Sequence, residues 1–390
     1  MRASDKANVV DIDRGATSAT MIKALETRIV DCVTTRRHKL SNTEITHQSF
    51  VIVEATLGDG TVGYGEASTL GGPRWSEESV EAIKANIDAY IAPALIGQDA
   101  ALFEANALRM AKAVSRNTSA RAAVESALYD AVGKSLNLPA AAFLGGVVRD
   151  RIEVLWALAS GDADQEIEEA KAKLAAREHR RFKIKLGFCD PAQDMVRLRK
   201  VIGSMPEGTE MVVDVNQGWS EATAISYLPE LAEMGVVLVE QPLRPGMMAA
   251  TARIAARSAI PLMTDEAAFS TPELVQNGMA ATGSVYSLKL VKSGGMLELK
   301  RAAGVAQAFG MELYGGCLLE SGIGAAAHVA VFSTLPTLEW GCEHFGPRIL
   351  KQDLTSSGLV FRDFHIEVPQ GPGLGIEVDH DALRDATRRS

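Results

Sequence analysis

The sequence predicts an α/β fold, a TIM-type barrel of parallel strands preceded by an α+β domain. Three observations predict it. Carboxylates recur at Asp214, Glu240 and Asp265, spaced 26 residues (214 to 240) and 25 residues (240 to 265), each ending a short β-branched run. After Gly146 the chain alternates strand-like and helix-like stretches, whereas before it strands come first and helices afterwards. Parallel strands alternating with helices close into a barrel, and the residues at their C-terminal ends converge at its mouth. An open doubly wound sheet is disfavoured because no Gly-rich dinucleotide turn follows the first strand.

Residues 1–20 hold Arg2, Lys6, Asp11, Asp13 and Arg14 and lack the apolar stretch of a signal peptide, so they read as a disordered extension. Residues 21–147 form the α+β domain. There, 22–34 and 49–56 alternate as strands, Gly58-Asp59-Gly60 is a hairpin turn signal, 61–66 is the return strand, and helical patterns follow at 76–90, 101–114 and 119–136. Residues 148–345 form the barrel, with β-runs expected at 152–158, 182–186, 211–215, 236–240, 261–264, 285–290, 312–314 and 337–340. Helical patterns lie between them at 165–177, 221–234, 272–277, 296–308 and 325–333. The Pro/Gly-rich segment 346–390 is expected to return to the α+β domain.

Charge and composition narrow the function. Of 390 residues, 40 are Lys or Arg and 49 Asp or Glu, a net charge of −9 with no basic block, which argues against a nucleic-acid partner. No apolar run approaches the roughly 20 residues that span a bilayer, so no membrane partner is expected. Cys32, Cys189, Cys317 and Cys342 form no CxxC pair and suggest reduced thiols in a cytoplasmic protein.

The chemistry follows from the strand ends. Asp214, Asn216, Glu240 and Asp265 offer hard oxygen ligands, and three acids crowded at one point demand a cation, Mg²⁺ or Mn²⁺. One acid at a strand end is commonly only a helix cap; three at regular spacing favour a metal. Lys183 and Lys185, in Phe-Lys-Ile-Lys-Leu, share one face of the strand before Asp214. Two ammonium groups so close are expected to depress each other's pKa and supply a base. Lys289 ends the run 24 residues beyond Asp265 and enters from the opposite side, followed by Lys292 and the turn-forming pair Gly294-Gly295. A cation flanked by lysines on opposite faces suits proton transfer at the carbon next to a carboxylate.

These residues carry a resemblance. Lys183-Ile-Lys185, Asp214-Val-Asn216-Gln-Gly-Trp219, Glu240-Gln-Pro242, Asp265-Glu266 and Lys289 with Gly294-Gly295 resemble the successive motifs of the muconate-lactonizing branch of the enolase superfamily. In that superfamily a lysine working beside Mg²⁺ is the general pattern. Trp156–Gly161 and the loop carrying Glu320 narrow the likeness to muconate and chloromuconate cycloisomerases.

The resemblance implies a modified TIM barrel of the (β/α)7β type with the α+β domain capping its mouth. It implies that Asp214, Glu240 and Asp265 ligate one divalent ion and that Lys185 is the acid/base, tuned by Lys183. It also implies Lys289 on the far face, Glu320 near the lactone-forming end of the substrate, and Asn216, Glu266 and Lys292 in supporting or substrate-facing roles. The implied partner is a small dicarboxylate, cis,cis-muconate, and the implied assembly a homo-oligomer, an octamer. Glu320 points to unsubstituted muconate, while Gly71-Gly-Pro73-Arg-Trp75 looks like the chloromuconate version of that loop. Residues 34–48, with Arg36, Arg37, His38 and Lys39, and residues 68–75 are expected as loops over the barrel mouth; solvated loops and plain packing of Trp75 are the alternatives. Rival activities are an N-acylamino-acid racemase, a dipeptide epimerase, an o-succinylbenzoate synthase, or a non-catalytic scaffold. The scaffold is disfavoured because no lysine or ligand is lost.

Overall fold

Three antiparallel strands, β1 (Ile22–Lys39), β2 (Glu44–Leu57) and β3 (Val62–Thr69), open the fold in the order β1-β2-β3. The computed structural model describes residues 19–41 and 43–389, so the extension expected at 1–20 lies, but for Ala19 and Thr20, outside the described residues. The basic stretch 36–39, expected in a long loop, belongs to β1, and the connection shrinks to residues 40–43. Strand pairing slips between Val33 and His38 and then resumes, His38 opposite Ile45 and Lys39 opposite Glu44. The β-branched Thr34 and Thr35 favour an extended chain here, and pairing satisfies backbone groups that a loop over the barrel would leave bare. The helix Thr118–Leu136 packs against β2 and β3 and touches the short helix Leu290–Ser293 of the barrel, which explains why it is buried almost all round.

The barrel strands are β5 (Trp156–Leu158), β6 (Arg181–Lys185), β7 (Glu210–Asp214), β8 (Val236–Glu240), β9 (Leu262–Thr264), β10 (Val285–Leu288) and β11 (Glu312–Gly315). They are parallel and adjacent in chain order. Two sequence expectations shift. The run 152–158 is two elements: β4 (Arg151–Glu153) pairs antiparallel with β13 (His365–Glu367) outside the barrel, and only β5 enters it. The hairpin of β12 (Val360–Arg362) and β13 supplies the partner that draws β4 away.

The eighth run, 337–340, is a turn. Closure comes instead at Cys342, bridged to Val154 on one side and Gly315 on the other. Gly341 sets this position. Its φ is +63°, and a Cβ there would lie 2.5 Å from the carbonyl oxygen of Glu153, so only glycine lets the closing stretch approach so near.

Leu155, Val212, Leu238, Met263, Val285 and Tyr314 form a separate buried cluster that fills the barrel beneath its mouth. The C-terminal segment packs back on the N-terminal part: Thr387 bridges Val30, and the Leu374 amide donates to Asp130 Oδ1 at 2.8 Å. Among the described residues no helix is long and apolar enough to cross a membrane.

Candidate active site

Register assembles the site. Lys185 stands opposite Asp214, and Asp214 opposite Glu240, so the last residues of β6, β7 and β8 form one layer at the mouth. Lys183 lies one layer lower, opposite Val212. Asp265 and Lys289 directly follow β9 and β10 and complete the ring; all six side chains are buried. Each acid is turned onto an ammonium. Lys185 Nζ donates to Asp214 Oδ2 at 2.6 Å, Lys183 Nζ to Glu240 Oε2 at 2.5 Å and Lys289 Nζ to Asp265 Oδ2 at 2.6 Å. Lys292 Nζ donates to Asp265 Oδ1 and to its carbonyl, both at 2.9 Å, so it braces Asp265 from behind. Asn216 braces Asp214 through its backbone amide at 2.8 Å and its Nδ2 at 3.0 Å.

The expected mutual depression of Lys183 and Lys185 is not what this interleaving produces. Burial is the largest single influence on Lys185 and works against its ammonium, but Asp214, Glu343 and Glu240 together raise the pKa; Lys183 opposes as a smaller influence. Lys183 is raised well above its ordinary value, because Glu240 and Glu343 overcome its burial. Glu240 moves the same way despite its lysine: burial, then repulsion from Asp214, push its carboxyl well above the usual range. Asp265 is held below that range, its burial overcome by Lys289 and Lys292.

The donor set fits a hard divalent cation. It offers three buried carboxylates whose repulsion is visible at Glu240, while Asn216 Oδ1 and Glu266 Oε2 are buried oxygens without a partner beside them. A surface cleft lined by Trp75, Gln217, Glu266 and Phe269 opens beside this place.

Glu320 stands apart from the lysines. Its two oxygens accept from the Leu318 amide at 2.9 Å, with His328 Nε2 and His344 Nε2 at 4.0 and 3.9 Å. Burial pushes its carboxyl up to about 7. Among the described residues this is the one trio of potential ligands with atoms all within 4.8 Å of one another, so the oxygens of Asp214, Glu240 and Asp265 are spread more widely. The trio is not an open metal site. His328 Nε2 already accepts from the Leu290 amide at 3.0 Å, and its Nδ1 faces the Gly324 carbonyl at 2.8 Å.

Two residues escaped the sequence reading. Glu343 follows the closing bridge at Cys342 and contacts Lys183; it also accepts from Tyr314 Oη at 2.5 Å and from the Cys317 amide at 3.1 Å. The signal is present, an acid following Trp340-Gly-Cys342, but the apolar run 337–340 places the last strand too early in the chain. Tyr314, beneath it, stands in the sequence as the end of the seventh β-run and the start of the motif Tyr314-Gly-Gly-Cys-Leu-Leu-Glu320, with no role of its own assigned. Trp75 lies over Lys289, whose Nζ is 4.5 Å from the ring centroid, and packs on Phe269 at 4.9 Å.

The glycine pair after Lys292 has a steric cause. Gly295 has φ +146°, and a Cβ there would sit 1.9 Å from Glu125 Oε2, the oxygen that accepts from the Leu297 amide at 3.3 Å. Gly295→Ala is expected to cost about 1–3 kcal/mol, read as a lowered denaturant midpoint, through backbone strain and displacement of Glu125. An unchanged midpoint would remove this account of the glycine.

Comparison with known proteins agrees with this geometry. The family model for the enolase C-terminal domain-like fold matches residues 165–382, and that for the mandelate racemase / muconate lactonizing enzyme N-terminal domain matches residues 24–145. A chloromuconate cycloisomerase of Cupriavidus necator is 43% identical over 368 residues, 94% of this chain and 99% of that protein. Muconate cycloisomerase 1 of Acinetobacter baylyi is 39% identical over 372 residues, 94% of this chain and 100% of that protein. The crystal structure of a muconate lactonizing enzyme from Pseudomonas fluorescens complexed with muconolactone superposes with a TM-score of 0.94 at 40% identity, covering 95% of this chain and 100% of that one. On these matches, the chain belongs to the mandelate racemase / muconate lactonizing enzyme family of the enolase superfamily.

Proposed function

We propose that this isomerase interconverts cis,cis-muconate and muconolactone in aromatic (catechol) catabolism. The observation that carries the reading is the ring of lysines interleaved with acids at one barrel mouth, in a chain about 40% identical over nearly its full length to muconate and chloromuconate cycloisomerases. Divalent-metal dependence goes with the family. Asp214, Glu240 and Asp265 would hold one ion, Mn²⁺ or Mg²⁺, which when bound supplies positive charge at the carboxylate end where negative charge accumulates.

The chain's own residues do the rest. One substrate carboxylate adds to a double bond, forming the C–O bond, and the displaced electron pair moves to the other carboxylate end as an enediolate. The Lys185 ammonium then gives its proton to the carbon beside that end and regains one from water. Lys183 and Lys289 hold fixed positive charge on either side, with Glu343 anchoring Lys183. Glu320 would face the lactone-forming end. Barrel boundaries at 148 and 345, a cytoplasmic setting and an octameric assembly belong to the same reading.

Charge balance gives the test. Muconate is a dianion and muconolactone a monoanion, so each turnover in the lactonizing direction consumes one proton. With Mn²⁺ or Mg²⁺ present, loss of muconate absorbance is expected to match proton uptake one for one in a weakly buffered indicator assay. Racemisation or epimerisation consumes none, and turnover of acyl-amino acids without muconate loss would overturn the proposal. The second reading, chloromuconate, is favoured by the Gly71–Trp75 loop, and the ratio of kcat/KM for muconate and 2-chloromuconate decides between them.

A further inference from the structure

Four basic residues end β1, and three are already engaged. Arg36 Nε donates to Glu169 Oε1 at 2.8 Å and its Nη2 to the Ala157 carbonyl at 2.6 Å. Arg37, largely exposed, lies 3.2 Å from Glu44. Lys39 Nζ sits 5.8 Å from the centre of the Phe188 ring. His38 differs: it is buried, and its Nδ1 has no partner. A buried ring nitrogen left unpaired carries its full desolvation cost, which a ligand would relieve.

Neighbouring contacts fix where His38 lies. The Lys39 amide donates to the Ala159 carbonyl just past β5 at 2.9 Å, and Ser41 Oγ to the Asn216 carbonyl just past β7 at 2.8 Å. β6 runs between β5 and β7 and ends on Lys185, so the tip of β1 crosses directly over the proton-transfer lysine. Burial foremost, then the positive charges of Arg36, Lys185 and Lys183, hold the imidazole neutral with one N–H to give, against the opposing pull of Glu343. Neutrality has a chemical use. A cation would stabilise a carboxylate nucleophile before it reacts, whereas a neutral donor aims it without quenching it.

We propose that His38 is a substrate-contacting residue, donating a hydrogen bond from Nδ1 to the carboxylate that adds across the double bond. This rests on the cycloisomerase reading above. The test uses the metal-loaded enzyme and calorimetric binding of two ligands: adipate, with both carboxylates, and 2,4-hexadienoate, which lacks the second. His38→Ala and His38→Gln are expected to weaken adipate by about 10–100-fold, as for a lost hydrogen bond to a charged group, and to leave 2,4-hexadienoate unchanged. His38→Asn, whose amide N–H falls near the Nδ1 position, is expected to restore most of the adipate affinity. In kinetics, His38→Ala and His38→Gln raise KM for muconate more than they lower kcat, and His38→Asn largely reverses this. Equal weakening of both ligands, or unchanged adipate binding in His38→Ala, overturns the assignment. Because binding needs no turnover, wild-type enzyme inert on muconate would defeat the functional reading while the ligand comparison still decides His38.

Discussion

Lys185→Ala is expected to lower kcat for muconate by about 10²–10⁴-fold, the usual share of a positioned general acid, while the divalent ion still binds. The argument rests on placement. Lys185 ends β6, is buried, and its Nζ lies 2.6 Å from Asp214, so it is held at the layer where the acids converge. Lys289 enters from the far side and is pinned by Asp265 at 2.6 Å beneath Trp75, which suits fixed charge better than proton transfer. The control is deuterium: wild-type product formed in D₂O carries one deuterium on the carbon beside the free carboxylate, and the variant's residual product forms slowly with the stereochemical preference lost. If Lys185→Ala kept wild-type kcat, the acid would have to be sought on the other face, and Lys289→Ala would then be the variant that fails.

Most of this site was legible because barrels repeat. The period of about 25 residues announced Asp214, Glu240 and Asp265, and strand alternation put Lys183 and Lys185 on one face. What stayed hidden depended on contacts made across the chain. The closing strand is only a bridge at Cys342, chosen by the room Gly341 leaves beside Glu153 and not by the apolar run before it, so Glu343 was passed over. β1 reaches Lys39 because its pairing survives a slip after Val33, which no local pattern announces. The lysine pKa expectation failed for a related reason. Counting two ammonium groups on one strand omits Glu343, which enters from the far end of the sequence and, with Glu240, reverses the balance at Lys183. Local periodicity reveals which side chains arrive at the mouth; only the closed barrel reveals which of them pair.

That pairing makes Lys183→Met the variant expected to lose the most stability. Lys183 is fully buried between Glu240 and Glu343, and Tyr314 donates to Glu343 from below. Methionine matches its length and apolar stem but strands two carboxylates beside Asp214 with no ammonium between them. Breaking a buried ion pair by removing one partner costs about 3–5 kcal/mol, chiefly because the remaining charge cannot return to water. Denaturant midpoints of the metal-free proteins should show that loss. Two further measurements separate this cause from a packing defect. Saturating Mn²⁺ should recover more stability in Lys183→Met than it adds to wild type, since a cation at Glu240 replaces part of the missing charge. Adding Glu343→Gln to Lys183→Met should stabilise the double variant relative to the single one, by removing one of the stranded carboxylates. A Lys183→Met midpoint within about 1 kcal/mol of wild type, or a double variant weaker than the single, would mean that the lysine fills space and does not hold the acids together.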